Sequence, residues 1–143
     1  MSGYIFTLND GAVCWKSFKQ HIVADSVCEA EYIAASDAIK KVVWLRKFIT
    51  EFRVVSSIDG PVLLYCNSTG AIAQAKEPKA HQWTKYILHR YHLVRKIMDR
   101  DDVDLQKIDE KDNLADPLTK ALAVKEFEDH KMKMGIRYCT DRL

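Results

Sequence analysis

Three residues stand where chemistry can be done: Glu31 in CEAEYIAA, Asn67 in LLYCNSTGAIAQA and Asp116 in NLADPLTKAL. Each falls at an expected element boundary. Glu31 opens a long helix, Asn67 ends a short apolar strand, and Asp116 lies near the start of the last helical region. Carboxylates gathered at one edge of a sheet can hold two divalent ions for phosphodiester hydrolysis, one activating water and one stabilising the leaving oxygen. Single acids at helix starts also suit the helix dipole without any chemistry. Helical phase separates the two glutamates of CEAEYIAA. Glu31 sits at the edge of the apolar stripe in phase with Ile49, whereas Glu29 projects to the far side as a solvated charge. Asn67 offers an oxygen without charge, and Asn caps a helix as well as Asp does.

The elements that must position these residues follow from periodicity and turn chemistry. Tyr4 to Leu8 and Ala12 to Lys16 are β-prone runs around Asn9-Asp10-Gly11, whose Asp-Gly step suits a tight hairpin turn. From Val27 to Phe52 a helical pattern places Ala30, Ala34, Ala38, Leu45, Phe48, Ile49 and Phe52 on one stripe. Asp59-Gly60-Pro61 breaks the chain before the buried strand Val62 to Cys66. Asn67-Ser68-Thr69 then supplies cap residues for a short helix ending near Ala75. Beyond Pro78, a second long helix is expected from Gln82 to Met98, with Ile87, Tyr91, Val94 and Met98 facing inward. Val103 to Ile108 alternates like a half-exposed strand. Asp112-Asn113 opens a helical region, broken at Asp116-Pro117 and resumed from Val124 to Met134, where Gly135 can cap it. The order predicts a mixed α/β layer fold.

Composition sets the outer bounds. A chain of 143 residues with 48% hydrophobic content predicts one compact domain spanning 1–143. The net charge of +2, from 22 basic and 20 acidic residues, means that affinity for nucleic acid must come from local clustering. Cys14, Cys28, Cys66 and Cys139 are far apart with no CxxC pair, which points to buried reduced thiols rather than a zinc site. No apolar run approaches the roughly 18 residues of a membrane span, and the first residues lack a signal-peptide pattern. The expectation is an intracellular, cytoplasmic or nuclear protein that is neither secreted nor in a membrane.

Taken together, GAVCWKSFKQ, EAEYIAASDA, LLYCNSTGAIAQAKEPKAHQWTKYILHRYHLVRKI and DNLADPLTKAL resemble the ribonuclease H domain that ends the Pol polyprotein of copia-type retrotransposons. The resemblance covers nearly the whole chain in the same order. It implies a mixed five-stranded sheet flanked by helices, and cleavage of the RNA strand of an RNA/DNA hybrid by four carboxylates and two magnesium ions. Glu31 of EAEY then matches the catalytic glutamate and Asp116 of NLADPLTK the last aspartate, both as metal ligands. Asn67 of YCNSTGAI stands where the family carries its third aspartate. The first aspartate belongs to a strand that would precede GYIFTL.

Charge decides what that substitution means. Two divalent ions about 4 Å apart repel by roughly 17 kcal/mol at an effective dielectric of about 20. Four carboxylates can neutralise the pair; Glu31 and Asp116 supply half of that. Asparagine holds a hard ion less well than a carboxylate. The expectation is weak or single-ion magnesium binding and impaired hydrolysis. The resemblance further implies a gap in the middle of the sheet, filled either by a shift of the hairpin strand Tyr4 to Leu8 or by a second chain such as the reverse transcriptase domain.

The remaining feature is basic. Lys85, His89, His92 and Lys96 share one helix stripe opposite the inner face, with Arg95 beside it. Lys16, Ser17 and Lys19 on the hairpin, and Ser68 next to Asn67, are further candidate contacts to nucleic acid. Such a stripe either follows a phosphate backbone or is a solvated helix face. Trp83 serves base stacking, core packing or capping. His89 and His92 have no third metal ligand at suitable spacing. Two alternatives to an impaired nuclease stay open: a module that binds RNA/DNA hybrid without cutting it, and an inert retrotransposon-derived fragment.

Overall fold

The computed structural model describes residues 1–21, 23–53, 58, 60–76 and 85–137, without the side chains of 85–87. Asp59, Pro78, Gln82, Trp83 and Cys139, which carried expectations above, lie outside the described residues, as does the side chain of Lys85. The chain is mixed α/β, with four helices and two small sheets. It divides into two compact units, 1–22 with 110–143, and 23–109.

In the first unit, β1 (Ser2–Leu8) and β2 (Gly11–Phe18) form an antiparallel hairpin. Its turn is one residue earlier than the Asp10-Gly11 step predicts. Leu8 pairs with Gly11, so Asn9 and Asp10 are the two central residues, with φ of 49° and 60°. Positive φ at both central positions matches the twist of the flanking strands, and Asn and Asp tolerate it better than most residues. The register slips between Phe6 and Thr7, where Cys14 and Ala12 are the respective partners. Two 3₁₀ turns, Glu110–Asp112 and Asp116–Leu118, precede α4 (Val124–Lys133). As its spacing predicts, Gly135 follows the helix end, with φ of 73°. A Cβ there would lie 2.6 Å from the Asp10 carbonyl oxygen. Glycine thus lets the end of α4 meet the hairpin turn, and the Ala12 N–H donates to the Met134 carbonyl at 2.9 Å.

In the second unit, α1 (Val27–Glu51) packs against α2 (Thr69–Lys76), α3 (Lys85–Met98) and the parallel pair β3 (Val62–Cys66) and β4 (Val103–Lys107). The buried face of α1 differs from the expected stripe. Tyr32, Ile33, Ser36, Ile39 and Val42 are buried together with Ala35 and Ala38, whereas Phe48 and Phe52 are exposed. Burying each of these large apolar side chains contributes about 1.5–3 kcal/mol. The exposed aromatics instead stack along the helix, Trp44 on Phe48 at 5.1 Å and Phe48 on Phe52 at 4.4 Å, with the Lys41 ammonium 3.6 Å from the Trp44 ring centre. The pattern of small alanines misled because Ser36 faces inward too: its hydroxyl donates to the Ile33 carbonyl at 2.7 Å and accepts from Arg90 at 3.1 Å. Arg90 also reaches the Asp37 carboxylate at 2.5 Å, tying α3 to α1. On α3 itself Tyr91 and Val94 are buried as expected, and Ile97 takes the inward position predicted for Met98, which is only half-buried.

Among the described residues the first unit holds the antiparallel pair β1 and β2, and the second the parallel pair β3 and β4. Every residue of β1 pairs along β2, and β3 takes its partners, Val62 to Val103 through Cys66 to Lys107, from β4. No helix among the described residues is long and apolar enough to cross a membrane.

Candidate active site and basic helix face

Glu31 lies one turn into α1, whose N-cap is Ser26, with the Ser26 hydroxyl accepting from the Glu29 N–H at 3.1 Å. Glu29 is not the free solvated charge that helical phase suggested. Its carboxylate accepts from the Asp25 N–H at 2.5 Å, so Ser26 and Glu29 close the helix start from both sides. Cys28, on the same face as Glu31, packs on the first turn of α2: a Cβ on Gly70 would lie 2.6 Å from its sulfur. Only glycine permits this approach, and it brings the Glu31 turn beside the end of β3. Burial pushes the Cys66 thiol above its ordinary value, the Ser68 N–H holding it back and the nearby Glu31 carboxylate adding to the rise.

Asn67 follows Cys66, half-buried, and does not cap α2. That role belongs to Ser68, whose hydroxyl accepts from the Ala71 N–H at 3.2 Å. The Asn67 backbone carbonyl accepts from the Lys107 ammonium. The side-chain amide of Asn67 has no hydrogen-bond partner among the described residues. Ser68, offered above as a nucleic-acid contact, thus spends its hydroxyl on the helix start.

Asp116 belongs to the first unit. The residue is 5% exposed, and its carboxylate pairs with Lys120 one turn on at 2.9 Å. Lys120 also pairs with Glu110, and the hydrogen bonds to Glu110 and then Asp116 push its pKa up. The Asp116 carbonyl accepts from the Thr119 N–H at 3.0 Å and the Lys120 N–H at 3.1 Å. Ser17, another predicted contact, donates its hydroxyl to the Leu118 carbonyl at 2.5 Å, which binds β2 to this turn. Lys16 lies over the Phe18 ring at 4.6 Å, and Lys19 is exposed.

Among the described residues no three His, Cys, Asp or Glu side chains cluster as metal ligands, and magnesium, which keeps several waters, would rest on one or two carboxylates. Asn67 is neutral, and Asp116 already has a cation in contact. Within the second unit, the junction of Glu31 and Asn67 supplies a single carboxylate, which is short of the charge of a two-ion centre. Sequence reasoning missed both lysines. Lys120 carried a signal, since Asp116 and Lys120 have the i, i+4 spacing of a helical ion pair. Lys107 carried none, because its place beside Asn67 comes from the pairing of β4 with β3.

On α3, His89, His92 and Lys96 are exposed, and none forms an ion pair among the described residues. Arg95 is partly drawn inward, donating to the Tyr91 hydroxyl at 3.2 Å and lying 3.9 Å from the Asp99 carboxylate. The exposed basic stripe therefore consists of His89, His92 and Lys96.

The mixed α/β architecture, with four helices, two small sheets and no closed barrel among the described residues, is consistent with an RNase H-like fold. Sequence comparison specifies the relatives. The chain is 38% identical over 135 residues to the retrovirus-related Pol polyprotein from transposon TNT 1-94 of Nicotiana tabacum, an alignment covering 94% of this chain and 10% of that protein. The corresponding polyproteins from transposons RE2 and RE1 of Arabidopsis thaliana are each 30% identical over 135 residues, covering 94% of this chain and 9% of theirs. This chain spans about a tenth of the length of these relatives. Its homologues are Pol polyproteins of plant copia-type transposons, which supports a retrotransposon-derived region. No protein-family model and no solved structure matches it.

Proposed function

We propose that this chain is an RNase H-like domain of a copia-type retrotransposon that holds RNA/DNA hybrid along the exposed face of α3 and hydrolyses the RNA strand poorly. The observation that carries the reading is Asn67. It ends β3 as a neutral amide at a junction whose helix is capped by Ser68, so no local structural demand calls for an amide there. A carboxylate would fit the same backbone and add the charge that metal-assisted hydrolysis uses. The chain keeps Glu31 within electrostatic reach of this junction. What remains is phosphate recognition. His89, His92 and Lys96 are exposed on α3, Lys85 shares their spacing in the sequence, and each phosphate contact such groups make releases condensed counterions.

The test has two parts. A labelled RNA/DNA hybrid is incubated with the wild-type chain in magnesium beside Asn67→Asp and Glu31→Gln variants. Wild-type cleavage is expected near background and higher in Asn67→Asp; ordinary wild-type turnover that survives Glu31→Gln overturns the site assignment. Hybrid binding is then titrated against salt. Four phosphate contacts predict a loss of about two orders of magnitude between 50 and 200 mM salt, with a further loss in Lys85→Ala/Lys96→Ala. Undetectable or salt-insensitive binding leaves the chain an inert fragment.

A further inference from the structure

A cleft of about 480 Å³ opens between α2 and β4 within the second unit. Ile72 and Ala73 of α2 form its apolar side, above the fully buried Leu105. Thr69 and Gln106 add a hydroxyl and an amide to the wall, and Lys76 and Lys107 stand at the rim. The cleft is open to solvent and sets an apolar wall beside a few polar groups, the mix that orients a bound small molecule.

Charge indicates what fits. Lys107 donates to the Asn67 carbonyl and has no carboxylate partner among the described residues. Lys76 meets Asp104 only at 4.0 Å, with both groups well exposed, a contact that holds its ammonium weakly. Asp104 is turned toward Gln106, whose amide donates to it at 2.7 Å. The rim therefore carries a net positive charge next to an apolar wall, and it begins two residues beyond Asn67.

We propose that this cleft binds one nucleotide, its phosphate at the Lys76 and Lys107 ammonium groups and its base against Ile72 and Ala73. The choice of a nucleotide over another organic phosphate rests on the reading of the chain as a nucleic-acid binder. The cleft is separate from the basic face of α3 and uses neither Glu31 nor Asp116. Uridine 5′-monophosphate, either free or as a unit within a strand, presents the same chemistry to it.

The full chain, isotope-labelled and in EDTA, is titrated by NMR with uridine 5′-monophosphate, uridine, inorganic phosphate and a short RNA/DNA hybrid. The nucleotide is expected to shift amide resonances of residues 69–76 and 105–107 and to bind tighter than uridine or phosphate alone. Lys76→Gln with Lys107→Gln removes two charge-assisted contacts and lowers its affinity about tenfold or more. Ala73→Trp, at an exposed helix position, fills the cleft and abolishes the shifts while circular dichroism stays unchanged. Nucleotide shifts confined to other residues, phosphate binding as tightly as the nucleotide, or full affinity in Ala73→Trp each overturn the proposal. Hybrid shifts in the same resonances assign the site to a strand, and their absence beside nucleotide shifts assigns it to free nucleotide. Hybrid binding without nucleotide shifts refutes the cleft alone, whereas nucleotide binding without hybrid binding refutes the proposed function alone.

Discussion

The Asp116 turn and the Asn67 junction hold comparable positions in sequence, each a polar residue at an element boundary, yet they are built in opposite ways. Asp116 is buried, and its carboxylate is neutralised by Lys120, which Glu110 also grips. Its removal would leave a cation without one of its two partners and a turn without its anchor. Asn67 is half-buried, its amide makes no hydrogen bond among the described residues, and the helix it precedes is capped by its neighbour Ser68. The contrast shows what holds each residue. A buried carboxylate with a local ion-pair partner is held by stability, whereas a half-buried amide without a hydrogen-bond partner can be exchanged without disturbing the fold.

The largest effect that sharpens this comparison is expected where Glu31 is positioned. Gly70→Ala drives a Cβ into the Cys28 sulfur, and separating α1 from α2 costs about 2–3 kcal/mol, read as a lower urea midpoint. Next comes Asp116→Ala, which takes a buried carboxylate from Lys120 and lowers stability by about 2 kcal/mol in the same measurement. A neutral outcome there breaks the comparison, since Asp116 would then have no structural hold. At the junction the order reverses along the chain: Ser68→Ala costs about 1 kcal/mol through the lost cap, whereas Asn67→Asp changes stability by less than about 0.5 kcal/mol.

The smallest effect is alkaline. Hydrogen bonds to Glu110 and Asp116 raise the folded pKa of Lys120 above its ordinary 10.5, so its contribution is complete below that pH and is lost as pH rises through the folded value. Burial raises the Cys66 thiol above 9.0 with the same sign. Urea midpoints should therefore hold steady to about pH 9 and decline above it. In Lys120→Met the part of the decline above 10.5 is expected to shrink; an unchanged profile breaks the assignment to Lys120.

Much of the architecture was legible in the residues. The hairpin, the span of α1, the strands ending at Cys66 and Lys107, and the Gly135 stop follow from turn chemistry and periodicity, which act over a few neighbours. Three readings were less complete, one because its partner is distant in sequence and two because the local geometry of a helix start decides which neighbour holds it. The inward face of α1 includes Ser36, a polar residue that periodicity discounts, because Arg90 of α3 supplies its hydrogen bond. Glu29 was taken for a surface charge, although the N–H it serves is that of Asp25, just outside the helix. Of the cap residues Asn67-Ser68-Thr69, it is Ser68 that holds the start of α2.

The sequence by itself determined which residues could cap, turn and alternate, and it made Asn67 a neutral side chain, because a side chain's ionisation chemistry is fixed by its type. Tertiary structure alone decided what each charge meets. The pairing of β4 with β3 brings Lys107 to the Asn67 carbonyl, and the approach of α2 to α1 across Gly70 sets Glu31 near Cys66. Electrostatic energy depends on distance and burial, and neither exists until the chain has folded.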